Sequence, residues 1–128
     1  MMQVLLVAMG GALGAVARYG AGLAAVRLMG QGAWPWGTFG VNLLGGLLIG
    51  LLGGWLAARG TTGGDSVRLF AVVGVLGGFT TFSAFSLEMV QMLERREMAM
   101  AAGYALASVF LSVVAVFIGL IIMRKVIG

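Results

Sequence analysis

Between Gly77 and Glu88 the chain reads Gly-Gly-Phe-Thr-Thr-Phe-Ser-Ala-Phe-Ser-Leu-Glu, inside an apolar run long enough to cross a bilayer. Adjacent glycines weaken a helix. The hydroxyls of Thr80, Thr81, Ser83 and Ser86 then follow as hydrogen-bond donors and acceptors that lipid cannot match. If the helix breaks near Gly77-Gly78, one end presents unpaired N–H groups and a positive dipole, and the other presents carbonyls able to hold a cation. Both ends are potential ion sites. Phe79, Phe82 and Phe85 recur every three residues, so in a regular helix their rings share a side. A ring presented edge-on carries partial positive charge and can replace water around a small anion.

Other spans carry groups of the same kind. Asn42 either bonds a neighbouring helix or offers its amide N–H groups to an anion. Tyr104, Ser108 and Ser112 stand four apart and place three hydroxyls along one helix face. A lone serine satisfies itself on the carbonyl of residue i−4, but three in register favour a common partner or path. Arg18 is the single charge inside the first apolar run; it either snorkels to the interface or draws anions toward a vestibule. Glu88 lies near the exit of the third run and reads as a solvated vestibule charge.

These groups need a membrane frame. Of 128 residues, 61% are hydrophobic and 9% charged, against about 25% charged in soluble domains. Each helical crossing takes about 20 residues, so the chain is one domain of four spans with short connections. The expected spans are about 4–26, 37–58, 68–93 and 98–123, and the fold is an all-α membrane protein whose third helix is broken near its middle. No cysteine and no histidine occur, which removes thiol nucleophiles and the usual zinc, copper and haem ligands. The four acids all lie at connections or span ends, leaving no plausible catalytic pair, and an enzyme is not expected. The eight basic residues form no cluster beyond adjacent pairs, so they read as span flanks and nucleic acid is not the partner. The amino-terminal run has no basic n-region, so the first span is expected to stay in the mature protein.

The connections support this division. Gly30, Gly32 and Pro35 break the first, where Trp34 and Trp36 suit the headgroup belt. Asp65 or Ser66 is available to cap the third span. Gly10 and Gly14, and likewise Gly46, Gly50 and Gly54, stand four apart and mark faces for close helix contact. Arg59, Arg68, Arg124 and Lys125 fall on one side of the membrane, against Arg27, Arg95, Arg96 and, at its helix end, Arg18 on the other. This near-tie predicts insertion either way up. An antiparallel, dual-topology homodimer follows, with the glycine faces available for its two-fold interface.

The residues resemble one family across essentially the full length. Gly-Ala-Val-Ala-Arg-Tyr at Gly14–Tyr19, Gly-Thr-Phe-Gly-Val-Asn at Gly37–Asn42, the Gly77–Glu88 stretch and the Tyr104, Ser108, Ser112 track are similar to the small bacterial fluoride channels, the CrcB or Fluc family. The resemblance implies a passive channel that exports fluoride across the cytoplasmic (inner) membrane, where fluoride is trapped after neutral HF enters and dissociates. It implies two antiparallel pores built from two identical subunits, with Phe82 and Phe85 as a phenylalanine box. Asn42, Tyr104, Ser108 and Ser112 would coordinate fluoride, Thr81 and Ser83 would line the same pore, and Arg18 and Glu88 would flank its vestibule. A structural Na⁺ at the dimer centre would sit on the backbone carbonyls of Gly77 and Thr80. Phe39 and Gly40 depart from the family's commoner residues beside Asn42.

Two other readings compete. A dual-topology multidrug exporter has similar size and charge balance but uses a carboxylate in its first span, and this chain has no acid before Asp65. A non-transporting membrane scaffold would need only the glycine faces and gives no reason for hydroxyls and phenyl rings in register.

Overall fold

A computed structural model describes residues 1–60 and 66–127. Four helical stretches are long and apolar enough to cross a membrane: Met2–Met29, Trp36–Arg59, Arg68–Glu94 and Met98–Ile127. We denote Met2–Met29 α1 and Trp36–Arg59 α2. The third stretch holds α3, wound with π-type hydrogen bonds over Arg68–Leu76 and continued as α-helix over Gly77–Phe79, followed by α4, Phe82–Glu94. The last helix, α5, is Met98–Ile127.

Glycine ends both α1 and α2. Gly30 has φ 75° and Gly60 has φ 68°, backbone that side chains with a Cβ rarely adopt. Of the expected caps for the third stretch, Asp65 lies outside the described residues, and Arg68–Leu76 begins after Val67 with no side-chain cap. Between α4 and α5 the turn passes through Arg96 at φ 60°, and Arg95 Nε donates to Glu97 Oε1 at 2.7 Å.

The interior is made chiefly from backbone approaching backbone. A Cβ at Gly10 would lie 3.0 Å from the Gly74 Cα, and one at Gly14 would lie 2.8 Å from the Phe79 amide nitrogen. These glycines draw α1 along α3 for its whole length. On the other side, a Cβ at Gly46 would meet the Ser112 carbonyl at 2.9 Å, one at Gly50 the Gly119 Cα at 3.1 Å, and one at Gly54 the Met123 Cβ at 3.0 Å. Both partners advance in register, so α2 and α5 run parallel along their glycine seam. Small residues permit this approach, and dispersion and packing hold helices together where lipid competes equally for apolar surface.

The glycine faces therefore act within one chain. The expectation that they supply a dimer interface does not hold for Gly10, Gly14, Gly46, Gly50 and Gly54, whose faces are already filled by α3 and α5.

A second correction concerns where the third stretch leaves helical geometry. Gly77 has φ −62° and ψ −36°, and Gly77–Phe79 is α-helical. The extended residues are Thr80, at φ −85° and ψ 159°, and Thr81, at φ −151° and ψ 122°. Gly78 serves close approach instead: a Cβ there would lie 2.6 Å from the Gly11 carbonyl oxygen. The extended pair also removes Phe79 from the expected aromatic row. Phe79 is buried at the end of α3, whereas Phe82 and Phe85 stand on α4.

Gly14→Ala should lower the melting temperature in detergent, because its Cβ is aimed at α3 backbone that cannot turn away; the cost is on the order of 1–3 kcal/mol. Gly20→Ala, with nothing within 4 Å, should not lower it. Equal melting of the two variants would refute the α1–α3 seam.

Candidate functional site

Extended backbone at membrane depth frees N–H and C=O groups that lipid cannot satisfy. Side chains from the neighbouring helices take up the Gly78 carbonyl and the carbonyl and N–H of Thr81. Asn42, from α2, matches Thr81 in both directions: its Nδ2 donates to the Thr81 carbonyl at 3.0 Å, and the Thr81 N–H donates to Asn42 Oδ1 at 2.8 Å. Of the two possibilities left open for Asn42, bonding a neighbour is thus observed. Its amide still carries a second N–H.

Thr80 and Thr81 complete the local pairing. The Thr80 N–H and hydroxyl both donate to the Leu76 carbonyl, at 3.0 and 2.9 Å. Thr81 caps α4, its Oγ1 accepting from the Ala84 N–H at 3.1 Å and lying 3.3 Å from Ser83 Oγ. Ser86 turns inward on its own helix and donates to the Phe82 carbonyl at 3.0 Å. At the end of α3, Arg18 Nε donates to the Gly78 carbonyl at 3.0 Å. Arg18 is half-buried and engaged with protein, so simple snorkelling is not its arrangement.

A groove of about 380 Å³ opens on the face opposite the α1–α3 seam. Asn42, Thr80, Thr81, Phe82, Phe85, Ser108 and Ser112 all line it. The structure thus brings together most of the residues singled out in the sequence. Ser108 is 7% exposed, and its hydroxyl has no hydrogen-bond partner among the described residues. A buried, unpaired donor of this kind costs about 1–3 kcal/mol unless something arrives to meet it. Phe82 and Phe85 lie 5.6 Å apart between ring centroids, and Phe82 is 78% exposed. The exposed Phe82 ring and the unpaired Ser108 hydroxyl border the same groove.

Tyr104 is placed differently from the two serines. Its side chain is fully buried and its hydroxyl donates to Glu88 Oε1 at 2.8 Å. The other carboxylate oxygen of Glu88 accepts from Thr38 Oγ1 at 2.7 Å. Glu88 is accordingly half-buried and held by two hydroxyls, more enclosed than the solvated charge expected from its position. Thr38 was not singled out as a site residue, although its spacing of four from Asn42 puts both on one face of α2. Arg18, Thr38, Thr81 and Glu88 border a second cavity, of about 500 Å³, toward the first connection.

Aromatic rings join that connection to the groove. Trp34 meets Tyr104 edge to face at 5.3 Å and Phe39 at 5.4 Å, and Tyr104 lies 5.1 Å from Phe85. Trp34 is therefore a packing residue, not simply part of an interfacial belt. The departure at Phe39 fills space against Trp34 and Tyr104, while Gly40 has nothing within 4 Å of where a Cβ would stand.

Four apolar helical stretches and a donor-lined groove at membrane depth define a multi-pass membrane protein of the transport class. Comparison with known proteins makes the family explicit: residues 5–120 match the model of the CrcB-like protein family, Camphor Resistance (CrcB), and the chain belongs to this family. It is 58% identical over 126 residues to the fluoride-specific ion channel FluC of Caulobacter sp. (strain K31), covering 98% of both chains. The FluC of Phenylobacterium zucineum (strain HLK1) is 56% identical over 126 residues, again 98% of both chains. That of Rhizobium etli is 50% identical over 127 residues, 99% of this chain and all of its own length.

Asn42→Leu should strand the N–H and C=O of Thr81 inside the protein, at roughly 1–3 kcal/mol for each group. Asn42→Asp keeps the acceptor and should melt between the two. Thermal unfolding in detergent provides the check, and an unchanged melting temperature for the leucine variant would show that Thr81 is held by something else.

Proposed function

We propose that this chain forms a passive, fluoride-selective channel that lets F⁻ leave the cell across the cytoplasmic membrane. The observation that carries this reading is the unpaired Ser108 hydroxyl in the same groove as the Asn42 amide and the exposed Phe82 ring. Fluoride is small and strongly hydrated, so a selective path must supply several donors at once in place of water. Hydroxyl and amide N–H groups provide them without the tight grip of a fixed cation. Phenyl edges add a weak, directional positive field that permits release. Near-complete coverage at 50–58% identity to proteins named as fluoride channels supports the choice of ion.

The groove also argues for a partner. Lipid cannot pair the Ser108 hydroxyl, and Phe82 contributes only one open wall. A second identical copy is the proposed cover, inverted relative to the first, because the cationic residues are balanced across the membrane. Two-fold symmetry would then yield two equivalent pores per dimer, each closed by the other chain. The interface lies on the groove face of α3, α4 and α5, since the glycine seams are occupied within the chain.

A structural Na⁺ fits the same arrangement. Gly77 and Thr80 both line the groove beside the end of α3, and backbone carbonyls are hard, neutral oxygen ligands suited to such an ion. One chain supplies two of these oxygens, so the site would be completed by the partner. The ion would supply a fixed positive charge that ties the two chains together.

Purified protein in liposomes should lose fluoride rapidly and chloride negligibly, as followed by ion-selective electrodes. Phe82→Ile or Asn42→Asp should slow fluoride loss by roughly tenfold or more while the dimer stays assembled, a barrier increase of about 1.4 kcal/mol or more. Absence of fluoride flux from an intact wild-type dimer would overturn the channel reading, and normal flux in both variants would overturn the site.

A further inference from the structure

The Gly78 carbonyl lies four residues before the start of α4 and would, in a continuous helix, accept from the N–H of Phe82. Extended backbone at Thr80 and Thr81 removes that partner. Arg18 Nε replaces it at 3.0 Å. The reach is built into α1: Gly11, Gly14, Ala15 and Arg18 follow one helical face, where a Cβ at Gly78 would meet the Gly11 carbonyl oxygen at 2.6 Å and the Ala15 nitrogen at 3.1 Å. The seam that seats Gly78 therefore ends with the guanidinium Nε at the Gly78 carbonyl, one residue before the end of α3. A cation is also favoured there by the helix dipole.

Asn42 holds the other side of the same segment through Thr81. Two side chains from two helices thus grip points three residues apart, one at the end of α3 and one at the start of α4. Releasing either would let the intervening backbone move and would carry Phe82 and the Thr81 cap with it.

We propose that Arg18 is a positioning residue: its Nε hydrogen bond to Gly78 sets the extended segment, and conduction depends on this bond more than on the guanidinium charge. The inference rests on the channel reading above, but one of its tests does not. Glutamine is the discriminating substitution, because its Nε2 stands the same number of bonds from Cα as the arginine Nε and donates without a net charge. Methionine keeps the aliphatic bulk and has no donor.

In the assembled protein, Arg18→Gln should keep fluoride flux within about threefold of wild type, whereas Arg18→Met should lose roughly tenfold or more. The methionine deficit should persist at high fluoride concentration, since an ion-attracting charge would cease to matter there. Hydrogen exchange over residues 79–86 should speed up in the methionine variant and not in the glutamine variant. A methionine variant that fails to assemble beside a conducting glutamine variant also supports the bond. The proposal is overturned if the glutamine variant conducts as poorly as the methionine variant, if it does not assemble, or if high fluoride restores the methionine variant. Should the wild type itself not conduct, the channel reading fails, and the exchange rates alone decide the role of Arg18.

Discussion

A backbone polar group inside a membrane must find its partner within the protein, and the extended residues Thr80 and Thr81 interrupt the helical ladder of the third stretch. Much of the site follows from that requirement. Asn42 is turned toward Thr81, Arg18 toward Gly78, and Thr80 back onto Leu76. The Ser108 hydroxyl has no such partner among the described residues and borders the groove.

The close approach of the helices serves this arrangement. Arg18 can reach Gly78 because glycines at positions 10, 14, 74 and 78 bring α1 against α3. On the other side, the α2–α5 seam holds Ser108 and Ser112 at the level of Asn42 and Thr80, where a Cβ at Gly45 would strike the Thr80 methyl group. Rigidity here comes from backbone contact, with few large side chains to repack, so small changes in residue size act directly on helix position.

The donor network has a polar terminus in Glu88. Its carboxylate receives the hydroxyls of Thr38 and Tyr104, and Tyr104 is wedged between Trp34, Phe39 and Phe85. An aromatic series thus runs from the first connection to Phe82. It joins the wall of the second cavity to the wall of the groove through ring packing.

Much was legible in the sequence because membranes impose simple rules. Apolar length determined four spans, the spacing of glycines marked the helix seams, and the density of hydroxyls between Gly77 and Glu88 marked the site. What the glycines would touch was not legible, since small-residue spacing is the same whether the partner is another span or another chain; tertiary packing assigned those faces to α3 and α5. Nor could local propensity locate the extended pair: Gly77 and Gly78 weaken a helix, yet both are helical, with α1 backbone packed against Gly78, and the ladder ends at Thr80 and Thr81, the second of which Asn42 pairs. Sequence by itself determined four apolar spans and where along them the hydroxyls, amide and phenyl rings stand. Only the tertiary structure decided which of those donors are consumed by the protein and which, like the Ser108 hydroxyl, have no partner among the described residues, because that depends on distances between helices far apart in the chain.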